Sequence, residues 1–161
     1  MKWMPIAFLL ILAAGFSLRV PQLAERPMHH DEANQAYRFG ILLEKGTYEY
    51  DADDHHGPTL YYLTLPIAWL TGVDSFADST ETTYRALPAI FGMLLILAIP
   101  LLRNGIGCMA VLAAALLTAI SPGLAYYSRF YIQEMLLVFF TFTAIASGWQ
   151  SFKGGSRGWA I

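Results

Sequence analysis

Two short clusters hold every histidine in the chain, and each sets a His pair beside an acid pair: His29-His30-Asp31-Glu32 and Asp53-Asp54-His55-His56. Imidazole and carboxylate together can move a proton near neutral pH or bind a divalent cation. The spacing alone does not choose between these chemistries. No two of the histidines make an i,i+4 pair on a helix, and adjacent side chains point in different directions. Asp31 and Glu32 also suit a helix start as favourable charges, with the other residues in a solvated loop. A third acid tips the balance towards a site. Glu134 stands at the mouth of an apolar run, in Ser128-Arg129-Phe130-Tyr131-Ile132-Gln133-Glu134, and an ionisable group at membrane depth is a functional candidate by default. Pairing with Arg129, or exposure at the interface, accounts for Glu134 equally simply in structural terms. Arg129 and Arg85 are candidates to receive a phosphate, although snorkelling at a membrane surface suits Arg85 as well. His30, Asp31, His56 and Glu134 are the donors that could hold a divalent metal ion, which the sequence permits without requiring.

A membrane scaffold must position these groups. Of the 161 residues, 56% are hydrophobic and 14% charged, the net charge is -2, and Cys108 is the single cysteine. The mean hydropathy is +0.45. A soluble domain carries roughly 25% charged residues, so this chain has too few charges to cover a water-facing surface. Disorder, nucleic-acid binding and a disulfide scaffold are disfavoured on the same grounds. The acids are also bunched. Eleven of the twelve lie between Glu25 and Glu81, with Glu134 the exception.

An α-helix crosses a ~30 Å hydrocarbon core with about 20 mostly apolar residues. Four segments come near that length: 3–20, 85–102, 106–122 and 130–150. A fifth apolar run, Thr59–Thr71, is shorter, follows Pro58 and contains Pro66, which suits a re-entrant or interfacial helix. Asp31–Lys45 reads as an amphipathic helix along the membrane surface. Asp31 caps it, Ala33, Ala36, Tyr37, Gly40 and Ile41 form its apolar stripe, and Gly46 stops it. Suppose the amino terminus is cytoplasmic and Thr59–Thr71 does not cross. Lys2, the tight Arg103–Asn104–Gly105 turn, Lys153 and Arg157 then lie inside with no acid among them, as the positive-inside rule asks of cytoplasmic pieces, while all twelve acids lie outside together with the other six basic residues. A cleaved signal peptide is a poorer reading of the first segment, because three more spans follow. The expected fold class is all-α, a polytopic integral membrane protein of about four transmembrane helices. Its long first extracytoplasmic loop, 21–84, carries the amphipathic and re-entrant helices and the candidate site.

Placed along these spans, the short motifs resemble a known family. Asp31-Glu32 follows the first span, and His56-Gly57-Pro58-Thr59-Leu60-Tyr61-Tyr62 comes next. Tyr84-Arg85-Ala86-Leu87-Pro88 then enters a span, and Ser121-Pro122 precedes Tyr127-Ser128-Arg129 and Glu134. This order resembles the amino-terminal part of the polytopic GT-C glycosyltransferases, the protein O-mannosyltransferase and aminoarabinose-transferase superfamily. It is most similar to the prokaryotic dolichyl-phosphate-mannose-protein mannosyltransferase-like, flippase-activity-associated branch. The resemblance implies many membrane helices in a prokaryotic plasma membrane, with the active site at the extracytoplasmic face. It implies a mannose-like hexose donor on a polyprenyl phosphate, and a protein, lipid or glycan acceptor whose hydroxyl attacks the anomeric carbon with inversion.

By the same likeness Asp31 is the catalytic general base and Glu32 an orienting or assisting catalytic residue. Glu134 matches a second acid near the lipid phosphate, His56 a position before the Pro-containing turn, and Arg129 a partner for the leaving phosphate, with Arg85 in support. The role suits Asp31 physically, since a carboxylate at a water–lipid boundary can have its pKa raised enough to take a proton. The doubled His before the acidic pair, and Glu in place of Asp at 134, depart from some relatives. Metal use varies across the superfamily. Its members run to several hundred residues, so 1–161 is expected to be a single membrane domain, the amino-terminal part of a longer enzyme, and inactive alone. Two other classes fit the composition: a non-catalytic component assisting lipid-linked sugar transport, and a metal-dependent membrane hydrolase.

Overall fold

The apolar stretches bounded by prolines and glycines all fold as helices. The computed structural model describes residues 3–53 and 56–154, and every regular element among them is helical. They are α1 (Met4–Arg19), α2 (His30–Lys45), α3 (Thr59–Thr71), α4 (Glu81–Ala98), α5 (Arg103–Ile120), α6 (Pro122–Tyr127) and α7 (Glu134–Gly154), with a 3-10 turn at Ile99–Leu102 between α4 and α5. Lys2, Asp54, His55 and Arg157 lie outside the described residues, as does the side chain of Lys153.

Among the described residues, two helical runs are long and apolar enough to cross a membrane. Glu81–Ile120 has 40 residues at a mean hydropathy of 2.1, and Glu134–Phe152 has 19 at 1.4. The first run doubles back on itself, because Ile96 and Ala119 both lie against Gly15 of α1. The reversal is not the compact turn expected at Arg103–Asn104–Gly105. Arg103 already opens α5, and the bend is spread from the 3-10 turn to Gly107, where φ is 80° and ψ is 166°. That backbone is open to glycine and strained for any residue with a Cβ. α1 is shorter, at 16 residues. Even so, Leu9, Leu10, Leu117, Leu137 and Ile145 on α1, α5 and α7 are each more than half exposed, a distribution that suits lipid rather than water.

Contacts along the helices fix their directions. Phe91 of α4 meets Phe139 and Phe140 of α7 at 5.2 and 5.5 Å between ring centroids. Further along, the Gln150 side chain donates to the Leu101 carbonyl, so α4 and α7 run side by side in the same sense. α1 and α5 run the other way. At their shared carboxyl end the buried Arg19 guanidinium donates to the carbonyls of Thr118 and Ala119, at 2.8 and 2.6 Å, where the partial negative charge of a helix end favours a cation. One end of the bundle thus gathers the last turns of α1 and α5 with the first turns of α4 and α7.

α2 and α3 pack at this end. Ala36, Phe39 and Leu42 of α2 join Leu60 and Tyr61 of α3 and Tyr84 of α4 in one apolar cluster. The stripe that α2 buries is rotated from the expected one. Glu32, Gln35, Ala36, Phe39, Gly40 and Leu42 are buried, whereas Ala33 and Tyr37 are exposed. The cap differs too. His29 precedes the helix and its Nδ1 accepts from the Asp31 backbone N–H at 3.3 Å, so Asp31 lies inside the first turn. Gly46 closes α2 in the left-handed region at φ 73°, as its position suggested. α3 covers Thr59–Thr71 as expected. Its start lies by Gln133, through a bond from Gln133 Nε2 to the Gly57 carbonyl at 3.0 Å. Its end lies by Thr80 and Thr83 at the start of α4. Both ends of α3 therefore sit at one level of the bundle.

Candidate active site

Adjacent residues on a helix project about 100° apart, so Asp31 and Glu32 cannot share an environment. Glu32 turns inward and is fully buried. Its Oε1 accepts from Arg85 Nε at 2.8 Å and from the Tyr131 backbone N–H at 2.9 Å. Its Oε2 accepts from Arg85 Nη2 at 2.9 Å, Arg26 Nη2 at 2.8 Å and the His29 backbone N–H at 3.1 Å. Burial pushes this carboxyl up, but the bond from Arg85, the two backbone N–H groups and the Arg85 charge together hold it below the ordinary carboxylate range. A carboxylate offers about four lone-pair directions. With five donors on it, Glu32 has none left for a substrate.

Arg85 is equally committed. It is 1% exposed and, besides Glu32, donates to the carbonyls of Leu23, Arg26 and Pro27. Arg129 donates to the carbonyls of Leu18, Pro21 and Gln22, closing the end of α1. Both guanidiniums thus face backbone oxygens. The carboxyl at position 134 is not their partner in any of these bonds.

Asp31 turns outward, with its side chain 64% exposed and His29 Nδ1 at 3.3 Å. It lines a cleft of about 550 Å³. One wall is the first turns of α2, with Asp31, Asn34 and Gln35. His56, Thr59 and Leu60 form the entrance to α3, and Ile132, Gln133, Glu134, Leu136, Leu137 and Phe140 form the wall along α7. The structure therefore brings Asp31, His56 and Glu134 to one cavity and places Glu32, Arg85, Arg129 and His30 outside its lining. Among the described residues no group of three or more His, Cys, Asp or Glu side chains is placed to hold a metal ion. The donor set considered from sequence, His30, Asp31, His56 and Glu134, does not assemble as such a group.

A family model described as dolichyl-phosphate-mannose-protein mannosyltransferase matches residues 11–161. The chain belongs to that family. No curated protein and no solved structure matches it. Membership in the dolichyl-phosphate-mannose-protein mannosyltransferase family makes it part of a membrane-bound, polyprenyl-phosphate-sugar-dependent class. In this family member several site residues escaped the sequence reading. Asn34 and Gln35 follow Asp31 by three and four positions, a spacing that would have found them. Arg26 had no such signal. It reaches Glu32 while its guanidinium lies 4.8 Å from the Phe130 ring centroid, a contact made only in the folded chain. Gln133 and Thr59 join the cleft in the same way.

Proposed function

We propose that this protein transfers mannose from a polyprenyl-phosphate donor to an acceptor hydroxyl bound in the cleft, with Asp31 as general base. The acceptor oxygen attacks the anomeric carbon and passes its proton to Asp31. The bond from that carbon to the phosphate oxygen breaks, the polyprenyl phosphate leaves with the electron pair, and the configuration inverts. Glu134 stands across the same cleft, where it can orient sugar or acceptor hydroxyls, and Leu136, Leu137 and Phe140 offer an apolar path for the isoprenoid chain. Glu32 acts as a positioning residue that fixes the first turn of α2 against α4 and Tyr131. One observation carries this reading. Of the two neighbouring acids, only Asp31 presents a carboxylate to the cavity.

The bundle is read as four crossings, α1, α4, α5 and α7, with the amino terminus cytoplasmic. The cleft then lies on the extracytoplasmic face of a prokaryotic plasma membrane. α3 does not cross, since 13 residues rise about 20 Å, short of the ~30 Å core. In the complete enzyme reconstituted in liposomes, Asp31→Asn should abolish mannosyl transfer while leaving membrane insertion and thermal unfolding unchanged. Transfer at the wild-type rate would remove Asp31 from the role. A cysteine at Asp74→Cys should react with an impermeant reagent from outside the cell, and labelling only from inside would make α3 a crossing helix.

A further inference from the structure

The polar lining of the cleft points to the part of the donor that it holds. Two carboxylates, Asp31 and Glu134, face it with the imidazole of His56, the amides of Asn34, Gln35 and Gln133 and the hydroxyl of Thr59. Among the described residues no Lys or Arg lines it, and Arg85 and Arg129 spend their N–H groups on Glu32 and backbone carbonyls. Carboxylates repel a phosphate but accept readily from hydroxyls, and carboxamides both donate to and accept from them. The chemistry suits a neutral, hydroxyl-rich group.

Within that lining Gln35 is set apart by how it is held. It lies four residues after Asp31, on the same face of α2, and is 2% exposed while still lining the cleft. The hydroxyl of Tyr61, fully buried on α3, donates to Gln35 Oε1 at 2.5 Å. That bond fixes which way the amide faces. Its carbonyl is occupied from the core side, and its NH2 remains as the donor for the cavity. A ligand that covers this amide without pairing it leaves a buried donor unsatisfied, which is costly, so a ligand hydroxyl that meets it is favoured over one that does not.

We propose that the Gln35 amide donates a hydrogen bond to a hydroxyl of the transferred hexose, which makes Gln35 a specificity-determining residue and Tyr61 its positioning residue. The inference rests on the cleft being the mannosyl-transfer site. The test uses the complete enzyme in liposomes, with polyprenyl-phosphate mannose and a series of singly deoxygenated mannosyl donors. Gln35→Leu should raise the donor KM roughly tenfold with little change in kcat, as expected for a binding contact made in the ground state. One deoxy donor should lose about tenfold against wild type, and lose nothing relative to the parent donor with Gln35→Leu. Tyr61→Phe should give a smaller rise in donor KM and add nothing to Gln35→Leu.

An unchanged donor KM in a Gln35→Leu protein of wild-type Tm overturns the inference. So does a rise confined to the acceptor KM, or a pattern of deoxy-donor losses identical in the two proteins. If Gln35→Leu lowers Tm, Gln35→Met carries the same test, being of similar length without the amide. Asp31→Asn is measured alongside. Retained transfer in that variant removes the transfer site itself, and this inference with it. Abolished transfer together with wild-type behaviour of the Gln35 variants removes this inference alone.

Discussion

Two ionic regions meet on the first turn of α2, an open cleft around Asp31 and a closed clamp around Glu32. Among the described residues the cleft holds carboxylates without Lys or Arg, beside His56, amides and an apolar wall. The clamp holds one carboxylate under two guanidiniums and two backbone N–H groups. The difference shows how an acid pair can divide its work. A carboxylate that must exchange a proton needs an approach for substrate and a free lone pair, whereas one that must join α2, α4 and the segment before α7 needs every lone pair engaged. Arg85, which looks from sequence like a phosphate ligand, is drawn into the second task, while Arg129 is spent on the carbonyls at the end of α1.

The comparison breaks most directly if the two acids exchange phenotypes. Asp31→Asn should abolish measurable transfer, a loss of at least the roughly 10²- to 10⁴-fold that a general base usually contributes, with unfolding unchanged. Glu32→Ala should do the reverse at the level of folding. Removing one partner of a buried ion pair costs about 3–5 kcal/mol, read from thermal or denaturant unfolding of the reconstituted protein. A Glu32→Ala protein of full stability that had lost only transfer would place Glu32 with the chemistry. Arg85→Lys should cost less, about 2 kcal/mol, since the charge survives but the five-donor fork does not.

Acid offers a second way to separate the regions. The folded Glu32 carboxyl lies below its ordinary value of 4.5, so the unfolded chain takes up its proton first as pH falls. Stability from the clamp is then fully present above the unfolded value and is lost as pH drops through the folded one. Unfolding measured from neutral pH to below that range should show a decline in wild type. The decline should be flattened in Glu32→Gln, which has no carboxyl to titrate at that position. An equal decline in both proteins would mean that other acids dominate.

Much of the fold was legible because it follows local rules. Apolar length gave the long helices, Gly46 ended α2, and Pro58 preceded α3. The rotated stripe of α2 was harder to read. Phe39 and Leu42 are as apolar as the expected stripe members, and their burial is set by where Tyr61 and Tyr84 arrive from other helices. In the site, the acid pair drew attention to Asp31 and Glu32 alike, only the family resemblance set Asp31 apart, and the apolar run singled out Glu134. The fate of Glu32 lay beyond reach, because Arg85 is 53 positions away and the Tyr131 N–H is 99 away in the chain. Residue type identifies what a side chain can do. Only the packing decides whether its bonds are already taken.

The smallest expected effect tests whether burial, rather than bond length, separates the clamp from ordinary surface pairing. Arg38 Nη2 and Asp51 Oδ2 approach to 2.6 Å, closer than the 2.8 Å between Arg85 Nε and Glu32 Oε1. Yet the Arg38 and Asp51 side chains are 24% and 41% exposed, against 1% and 0% in the clamp. Water and salt screen the outer pair, and fixing two side chains offsets most of its attraction, so Arg38→Ala should cost about 1 kcal/mol or less. That cost should shrink further in unfolding measured at high salt, where the Debye length falls to roughly 3 Å. The loss on removing Glu32 should hardly move over the same range. If the two substitutions cost the same, or respond alike to salt, distance would be the better guide and the clamp would be no more than a surface bridge.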